Sequence, residues 1–370
     1  MRFVKRCAVL VATVCIAAFP VEAFAAGLLF RLYARKKAAL WPTGSATLFL
    51  SRKVFRLDPR PVYAADPPCL FRPDQVLGYA AIPGRYRITI RANGQTYESH
   101  VTIQEDGLRA TSYRRVTAAR RFHLFGNSFI WGAALEDEQT VPWLLQNRLP
   151  DYEVVNRGLN GYTAVHQLLL WRALRDQARP DDIVFFSYLR DELRVNIGDT
   201  RVLRERVNGV EATLSDSATF AANVQFPFAT LTEQGALVIR RRCLISFRDA
   251  GAAERPDPAS RIPVTIRIFD ELVRGNACHV VVGFFSGDDD DPVIAHLRSL
   301  DVTIADLRVA RDAPNAEDFL FDRFHRGAFA HHRFQAVIYD TLTKAGALEC
   351  GAALQRPPEA DHRLSYKIIS

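Results

Sequence analysis

The feature that most constrains this fold is the alternation of short apolar runs with longer helical patterns after residue 120. Residues 183–186 are apolar throughout, and residues 122–125 and 280–285 are apolar apart from His123 and Gly283, as expected of strands that are buried on both faces. Between them, residues 163–178 carry apolar side chains at helical spacing, and a closing helix is predicted over residues 329–342. Strands that alternate with helices form parallel sheets covered on both faces. The sequence therefore predicts a three-layer α/β/α domain with a parallel central sheet.

A different pattern precedes this domain. Residues 86–91 and 97–103 alternate polar and apolar side chains, which predicts strands with one buried face. Asn93-Gly94 lies between them and is a strong hairpin signal. We therefore expect a small β-rich region over residues 38–118, either independent or docked against the main sheet.

The remaining boundaries follow from these two patterns. The α/β domain is expected over residues 119–350 and a C-terminal tail over residues 351–370. Residues 198–262 fit the alternation poorly, so they are predicted to be an insertion.

The amino terminus predicts export or anchoring. Residues 7–30 are apolar apart from Glu22 and follow three basic residues, and about 20 apolar residues suffice to span a bilayer. We expect a signal anchor within residues 1–37, with the body outside the cytoplasm, as in a periplasmic protein. The alternative is secretion after cleavage near Ala25, where Ala23-Phe24-Ala25 has the small-x-small form of a cleavage site.

Charge and motifs exclude several classes of function. The net charge is +7, but residues 1–37 hold seven of the 48 basic residues and one of the 41 acidic ones. The rest of the chain is nearly neutral and has no basic stripe, so no nucleic-acid partner is expected. The sequence also lacks a nucleotide-binding glycine motif and paired cysteines at zinc spacing. It therefore predicts no cofactor and no metal.

Four cysteines lie outside the apolar segment, at positions 69, 243, 278 and 350. They allow two disulfides in three pairings, or they remain buried thiols. The acidic run 288–291 lacks the ligand spacing of a calcium loop and is expected to be a solvated loop.

Candidate chemistry lies where polar residues follow the apolar runs, because ligands bind beyond the carboxyl ends of parallel strands. Ser128 follows the run at 122–125, and Gly161 follows a further predicted strand over residues 152–156. Asp322 and His325 stand three residues apart before the closing helix, and an aspartate can hold a histidine in the tautomer that accepts a serine proton. Each of these signals alone also fits an ordinary turn or helix cap.

Taken in chain order, these segments resemble the blocks of the SGNH/GDSL hydrolase family over residues 119–348. The matching residues are Gly126, Ser128, Asn156, Gly158, Gly161, Asp322 and His325. Residues 103–109 and the apolar amino terminus resemble membrane-anchored bacterial members of that family.

The resemblance implies a serine-dependent ester hydrolase or O-acyltransferase that works through an acyl-enzyme. Ser128 would attack the ester carbonyl, His325 would take and return the proton, and Asp322 would orient His325. The backbone N–H groups of Ser128 and Gly161 would stabilise the oxyanion. The implied substrate is an acylated envelope component such as a polysaccharide, that is, an acylated carbohydrate or a lipid-like small molecule. The residues do not distinguish hydrolysis from transfer.

The chain departs from the family in two blocks. Asn127 replaces the aspartate of the first block, and residues 188–192 lack the Asn-Asp pair of the third. Loss of one oxyanion donor costs about 10²- to 10³-fold in rate. Arg190 is the predicted substitute, with Asn160 and Asn196 as weaker candidates. Because this block is altered, the alternative is that the protein is a non-catalytic relative that serves glycan binding or envelope assembly.

Overall fold

The computed structural model describes residues 62–92, 95–114, 116–199, 224–243, 256–308 and 327–348. All of them belong to one compact unit of the chain. The expected signal anchor, the C-terminal tail, Asp322 and His325 lie outside the described residues. Within the described ranges, every helix is too short or too polar to cross a bilayer.

The amino-terminal part of the described chain is built from antiparallel strands. They are β1 (Val62–Asp66), β2 (Phe71–Asp74), β3 (Gly78–Ala81), β4 (Gly84–Ala92) and β5 (Gln95–Ile103). β4 pairs with β5 with Ala92 opposite Gln95, which confirms the predicted hairpin. β1 lies along the other edge of β4, while β2 and β3 form a second hairpin.

The central sheet consists of five parallel strands. They are β6 (Arg120–Gly126), β7 (Tyr152–Gly158), β8 (Ile183–Tyr188), β11 (His279–Phe284) and β12 (Thr303–Asp306). Their order across the sheet is β12-β11-β8-β6-β7, and every neighbouring pair is parallel. The parallel sheet is thus confirmed. The strand order reverses between β6 and β8, and the crevice at such a switch point is where ligands bind in sheets of this kind.

Helices cover both faces of the sheet. They are α1 (Ser128–Trp131), α2 (Val141–Arg148), α3 (Ala164–Leu174), α4 (Leu193–Asn196), α5 (Arg261–Val273), α6 (Pro292–Arg298) and α7 (Ala328–Lys344). Leu124 and Phe185 lie in one core with residues of α2 and α7, whereas Phe125 and Phe186 lie in a second core with residues of α3, α5 and α6. This alternation confirms the three-layer arrangement. Burial of each such side chain contributes about 1.5–3 kcal/mol.

The amino-terminal strands dock against the α/β layers. Arg109 forms isolated antiparallel bridges with Ile103 on one side and Asn156 of β7 on the other. Tyr79 of β3 packs on Tyr162, with ring centroids 5.5 Å apart. These strands therefore share a hydrophobic core with residues that follow β6 and β7 in the chain, among them Trp131, Leu159 and Tyr162.

The carboxyl end of the insertion belongs to α5, and its residues 225–243 form an antiparallel hairpin of β9 (Gln225–Leu231) and β10 (Leu237–Cys243). The hairpin contacts α3 and buries Phe226 and Phe228. An antiparallel hairpin explains why the strand–helix alternation fails here.

Among the described residues, no disulfide joins Cys69, Cys243 and Cys278. Cys278 is buried, and burial raises the pKa of its thiol to about 11. For this cysteine the structure favours the buried-thiol alternative.

Candidate active site

The turn after β6 packs so tightly that positions 126 and 158 have no room for a Cβ atom. A Cβ atom on Gly126 would lie 2.4 Å from Cγ1 of Ile130 and 2.8 Å from Oγ of Ser187. A Cβ atom on Gly158, at the end of β7, would lie 2.8 Å from the backbone nitrogen of Trp131. The glycines of the first two sequence blocks therefore let the turn after β6 pack against its neighbouring strands.

Asn127 caps α1 and is almost fully buried. Its Oδ1 accepts a hydrogen bond from the N–H of Phe129 at 2.9 Å. Its Nδ2 donates to Oε1 of Glu192 at 2.5 Å. Both polar ends of this side chain are therefore hydrogen-bonded. One bond lies within the turn that carries Ser128, and the other joins that turn to Glu192.

Ser128 is the first residue of α1 and is half-buried. Its carbonyl accepts hydrogen bonds from the N–H groups of Gly132 and Ala133. No described residue hydrogen-bonds to its Oγ. The hydroxyl thus stands at the carboxyl end of β6, beside the switch point, with its backbone fixed and no described partner.

Arg109 fixes the chain that follows α1. Its guanidinium donates to the carbonyls of Trp131 at 2.8 Å, Gly132 at 2.7 Å and Leu135 at 2.7 Å, and its Nε donates to Asp137 at 2.8 Å. Burial lowers the pKa of Arg109, and Asp137 opposes that shift. Sequence reasoning included Arg109 in a family-like segment but missed this role.

The turn after β7 is held by the amino-terminal strands. Gly161 has a φ of +84°, and a Cβ atom there would lie 2.5 Å from the hydroxyl oxygen of Tyr79. That hydroxyl donates to the carbonyl of Asn160 at 2.7 Å, and the hydroxyl of Tyr162 donates to the carbonyl of Tyr79 at 2.7 Å. Burial raises the pKa of Tyr162 well above its usual range, so its hydroxyl acts as a neutral donor.

The turn after β8 holds Arg190 by its side chain. The guanidinium donates to Asp288 at 2.6 Å and lies 3.7 Å from the carboxylate of Asp291. The backbone N–H of Arg190 donates to Oγ of Ser286 at 2.8 Å. The expected substitute for the missing amide is therefore engaged by two carboxylates.

The weaker substitutes lie elsewhere. Asn196 is buried on α4, where its amide donates to Oγ1 of Thr265 at 3.2 Å. Asn160 stands in the turn after β7, and its carbonyl is the acceptor for Tyr79.

The acidic run after β11 is exposed in part, as expected, but it is also paired. Asp289 accepts hydrogen bonds from Arg298 and Arg308. Asp291 is buried, caps α6, and accepts a hydrogen bond from the hydroxyl of Tyr188 at 2.8 Å. In the described part of the chain, no cluster of three or more His, Cys, Asp or Glu side chains is arranged to hold a metal ion.

The helix that follows the last sequence block packs beside α1. Phe285 lies between Phe129 of α1 and Phe334 of α7, with ring centroids 5.2 and 5.1 Å away. Trp131 and Ala328 belong to one hydrophobic core. The amino-terminal half of α7 is therefore next to the helix that begins with Ser128.

Two other buried histidines are poor candidates for a catalytic base. Burial and the nearby Arg157 lower the pKa of His123 to about 3, and Nε of Arg157 donates to its Nδ1 at 3.1 Å. His166 belongs to the capping box of α3 with Thr163 and stacks on Tyr162 at 4.4 Å.

Comparisons with known proteins return structural similarity only. No family model and no curated protein matches the sequence. TesA is 14% identical with a TM-score of 0.35, and the match covers 60% of this chain and 98% of TesA. A lipolytic protein of the G-D-S-L family from Veillonella parvula is 10% identical with a TM-score of 0.33, covering 61% of this chain and all of that protein. The acetylxylan esterase Axe2 from Geobacillus stearothermophilus is 12% identical with a TM-score of 0.33, covering 62% and 96%.

The matched structures thus include the family that the sequence blocks resemble. TM-scores this low leave the fold and the activity to be argued from the residues of the chain itself.

Proposed function

We propose that the protein is a serine-dependent ester hydrolase or O-acyltransferase with Ser128 as its nucleophile. The observation that carries this proposal is the placement of Ser128 at the carboxyl end of β6, beside the switch point. Its hydroxyl has no described hydrogen-bond partner, while Asn127 and Arg109 hold the flanking backbone. A hydroxyl held this way is suited to attack a bound ester.

The proposed reaction has two steps. Oγ of Ser128 bonds to the ester carbonyl carbon while its proton passes to His325, and the leaving alcohol departs with that proton. Water, or a sugar hydroxyl, then attacks the acyl-serine and gives its proton to His325, which returns it to Ser128. Asp322 orients His325 and balances its charge.

Chain connectivity supports a role for the last block. His325 stands two residues before Gly327, which precedes α7, and consecutive Cα atoms are about 3.8 Å apart. Because α7 packs beside α1 through Phe285, the described helix that follows the last block lies next to the helix of Ser128, which supports the proposed role of His325.

For the oxyanion, the backbone N–H groups of Ser128 and Gly161 have the better support. Gly161 lies in a turn fixed by Tyr79, and a preorganised donor is worth more than one that must move. Arg190 has less support as the third donor because its guanidinium is bound to Asp288.

The proposed substrate class is an acylated carbohydrate of the envelope, and the location outside the cytoplasm stays a prediction from the amino terminus. The altered third block favours a second candidate function, a non-catalytic glycan-binding protein. The two candidates differ in what Ser128→Ala removes. An enzyme loses turnover, whereas a binding protein keeps its full glycan affinity and has no turnover to lose.

The test is ester hydrolysis by the full-length chain on p-nitrophenyl acetate and on acetylated xylo-oligosaccharides. We expect Ser128→Ala and His325→Ala each to lower the rate about 10⁴-fold or more. Ser299→Ala, which removes an exposed hydroxyl at the end of α6, should leave the rate unchanged. Hydrolysis that survives Ser128→Ala would contradict the proposal. Glycan binding without any turnover by the wild-type protein would favour the second candidate.

A further inference from the structure

We propose that Glu192 is a positioning residue for the nucleophile, acting through Asn127, and that this contact makes position 127 specific for an amide. The bond between the two side chains joins the turn after β6 to the turn after β8. These two strands flank the switch point of the sheet. The effect on reactivity rests on the proposed function of Ser128, whereas the pairing itself does not.

The backbone determines which end of the Asn127 amide faces Glu192. Because the N–H of Phe129 donates to Oδ1 at 2.9 Å, that end must be the carbonyl oxygen. The end that faces Oε1 of Glu192 at 2.5 Å is then the NH₂ group. The Asn127 amide therefore donates to a buried carboxyl oxygen of Glu192, and a side chain without a donor at this end could not form that bond.

Both partners are removed from water, so the contact cannot be replaced by solvent. Asn127 is 2% exposed and Glu192 is 1% exposed. Ser128 lies between Asn127 and Phe129, the two residues that the amide ties together. Any rotation of the Asn127 side chain that breaks the contact with Glu192 therefore disturbs the backbone on both sides of the nucleophile.

An aspartate at position 127 would invert this arrangement. One of its oxygens would accept from the N–H of Phe129, and the other would face the Glu192 carboxylate without a proton between them. Two buried carboxylates in contact cannot both be ionised, so the pair must take up a proton or separate. With Gln at position 192 as well, the Gln amide can donate to the new aspartate, and the hydrogen bond returns with its polarity reversed.

The experiment compares full-length wild type, Asn127→Asp, Glu192→Gln and the double variant. It measures the rate of labelling by a fluorophosphonate and the thermal unfolding midpoint from about pH 5 to about pH 9. At the alkaline end we expect Asn127→Asp to label about tenfold more slowly or worse, with a lowered midpoint. Relative to wild type, both readouts should recover as the pH falls, because the carboxylate pair then holds a proton. Glu192→Gln keeps an acceptor and should lose less than about threefold, and the double variant should return to within about threefold of wild type.

Asn276→Asp is the matched control, because the Asn276 amide donates to a backbone carbonyl instead of a carboxylate. It should leave the labelling rate unchanged across this pH range. The proposal is overturned if Asn127→Asp behaves like wild type at every pH, or if the double variant stays as impaired as the single one. If the wild-type protein itself does not label, the proposed function fails. The unfolding midpoints of the four proteins then test the pairing of Asn127 with Glu192 by themselves. At alkaline pH the midpoint should be lowest for Asn127→Asp and should recover in the double variant.

Discussion

The turns after β7 and β8 were both expected to supply oxyanion donors, and the structure holds them in different ways. After β7, Gly161 has a positive φ and no room for a side chain beneath the hydroxyl of Tyr79. After β8, Arg190 extends a half-exposed side chain to Asp288. Gly161 is therefore held by backbone conformation and close packing, whereas the Arg190 guanidinium is held by an ion pair that solvent can compete for. If the proposed oxyanion donor is the Gly161 N–H, its position is therefore set before a substrate binds.

Among the substitutions that test this difference between the two turns, Gly161→Ala should lower the labelling rate most. The added methyl group would lie 2.5 Å from the Tyr79 hydroxyl, so the turn must shift and its N–H with it. We expect fluorophosphonate labelling to fall about 10²-fold and the free energy of unfolding in urea to fall by about 1–3 kcal/mol.

Gly235→Ala is the control that separates the effect of backbone strain on stability from an effect on the candidate active site. Gly235 also has a positive φ, +76°, but a Cβ atom there would meet nothing within 4 Å. It should lose stability and keep its labelling rate. If folded Gly161→Ala labels as fast as this control, the turn after β7 supplies no oxyanion donor.

Tyr79→Phe should have an intermediate effect. It removes the donor to the Asn160 carbonyl and leaves the packing of the ring in place. We expect stability to fall by about 1 kcal/mol and labelling to slow by about fivefold.

Tyr86→Phe is the control for that variant, since the Tyr86 hydroxyl also donates to a backbone carbonyl, that of Ile82, at 3.0 Å. It should cost similar stability with no change in labelling. Equal labelling by the two variants would mean that Tyr79 stabilises the fold without positioning the turn.

Arg190→Ala should have the smallest effect. Its side chain is 46% exposed and that of its hydrogen-bonded partner Asp288 is 71% exposed, and exposed ion pairs contribute about 0–1 kcal/mol. The buried Asp291 lies farther away, at 3.7 Å, and keeps its hydrogen bond from the Tyr188 hydroxyl. We expect the labelling rate to stay within about threefold of wild type, as it should for Arg298→Ala, which removes another exposed partner of the acidic run. A loss of about 10²-fold for Arg190→Ala alone would make Arg190 the oxyanion donor after all.

The same contrast explains which features the sequence predicts. The strands at 122–125 and 183–186 were found because their apolar pattern is local, and Gly126 was found because a tight turn constrains its own residue type. Arg109 and Glu192 were missed because their roles depend on partners 28 and 65 residues away in the chain. The Asp288 partner of Arg190 is 98 residues away. The role of a long side chain depends on the loop that it contacts, and a local sequence pattern does not show which loop that is.

Intact-mass analysis of the full-length chain after exposure to a fluorophosphonate tests most directly whether Ser128 is an activated nucleophile. It requires no knowledge of the substrate. We predict one adduct on the wild-type protein and on Ser299→Ala, and none on Ser128→Ala or His325→Ala under the same exposure. An adduct that persists in Ser128→Ala, or no adduct on a folded wild-type protein, would contradict the assignment of Ser128 as the nucleophile.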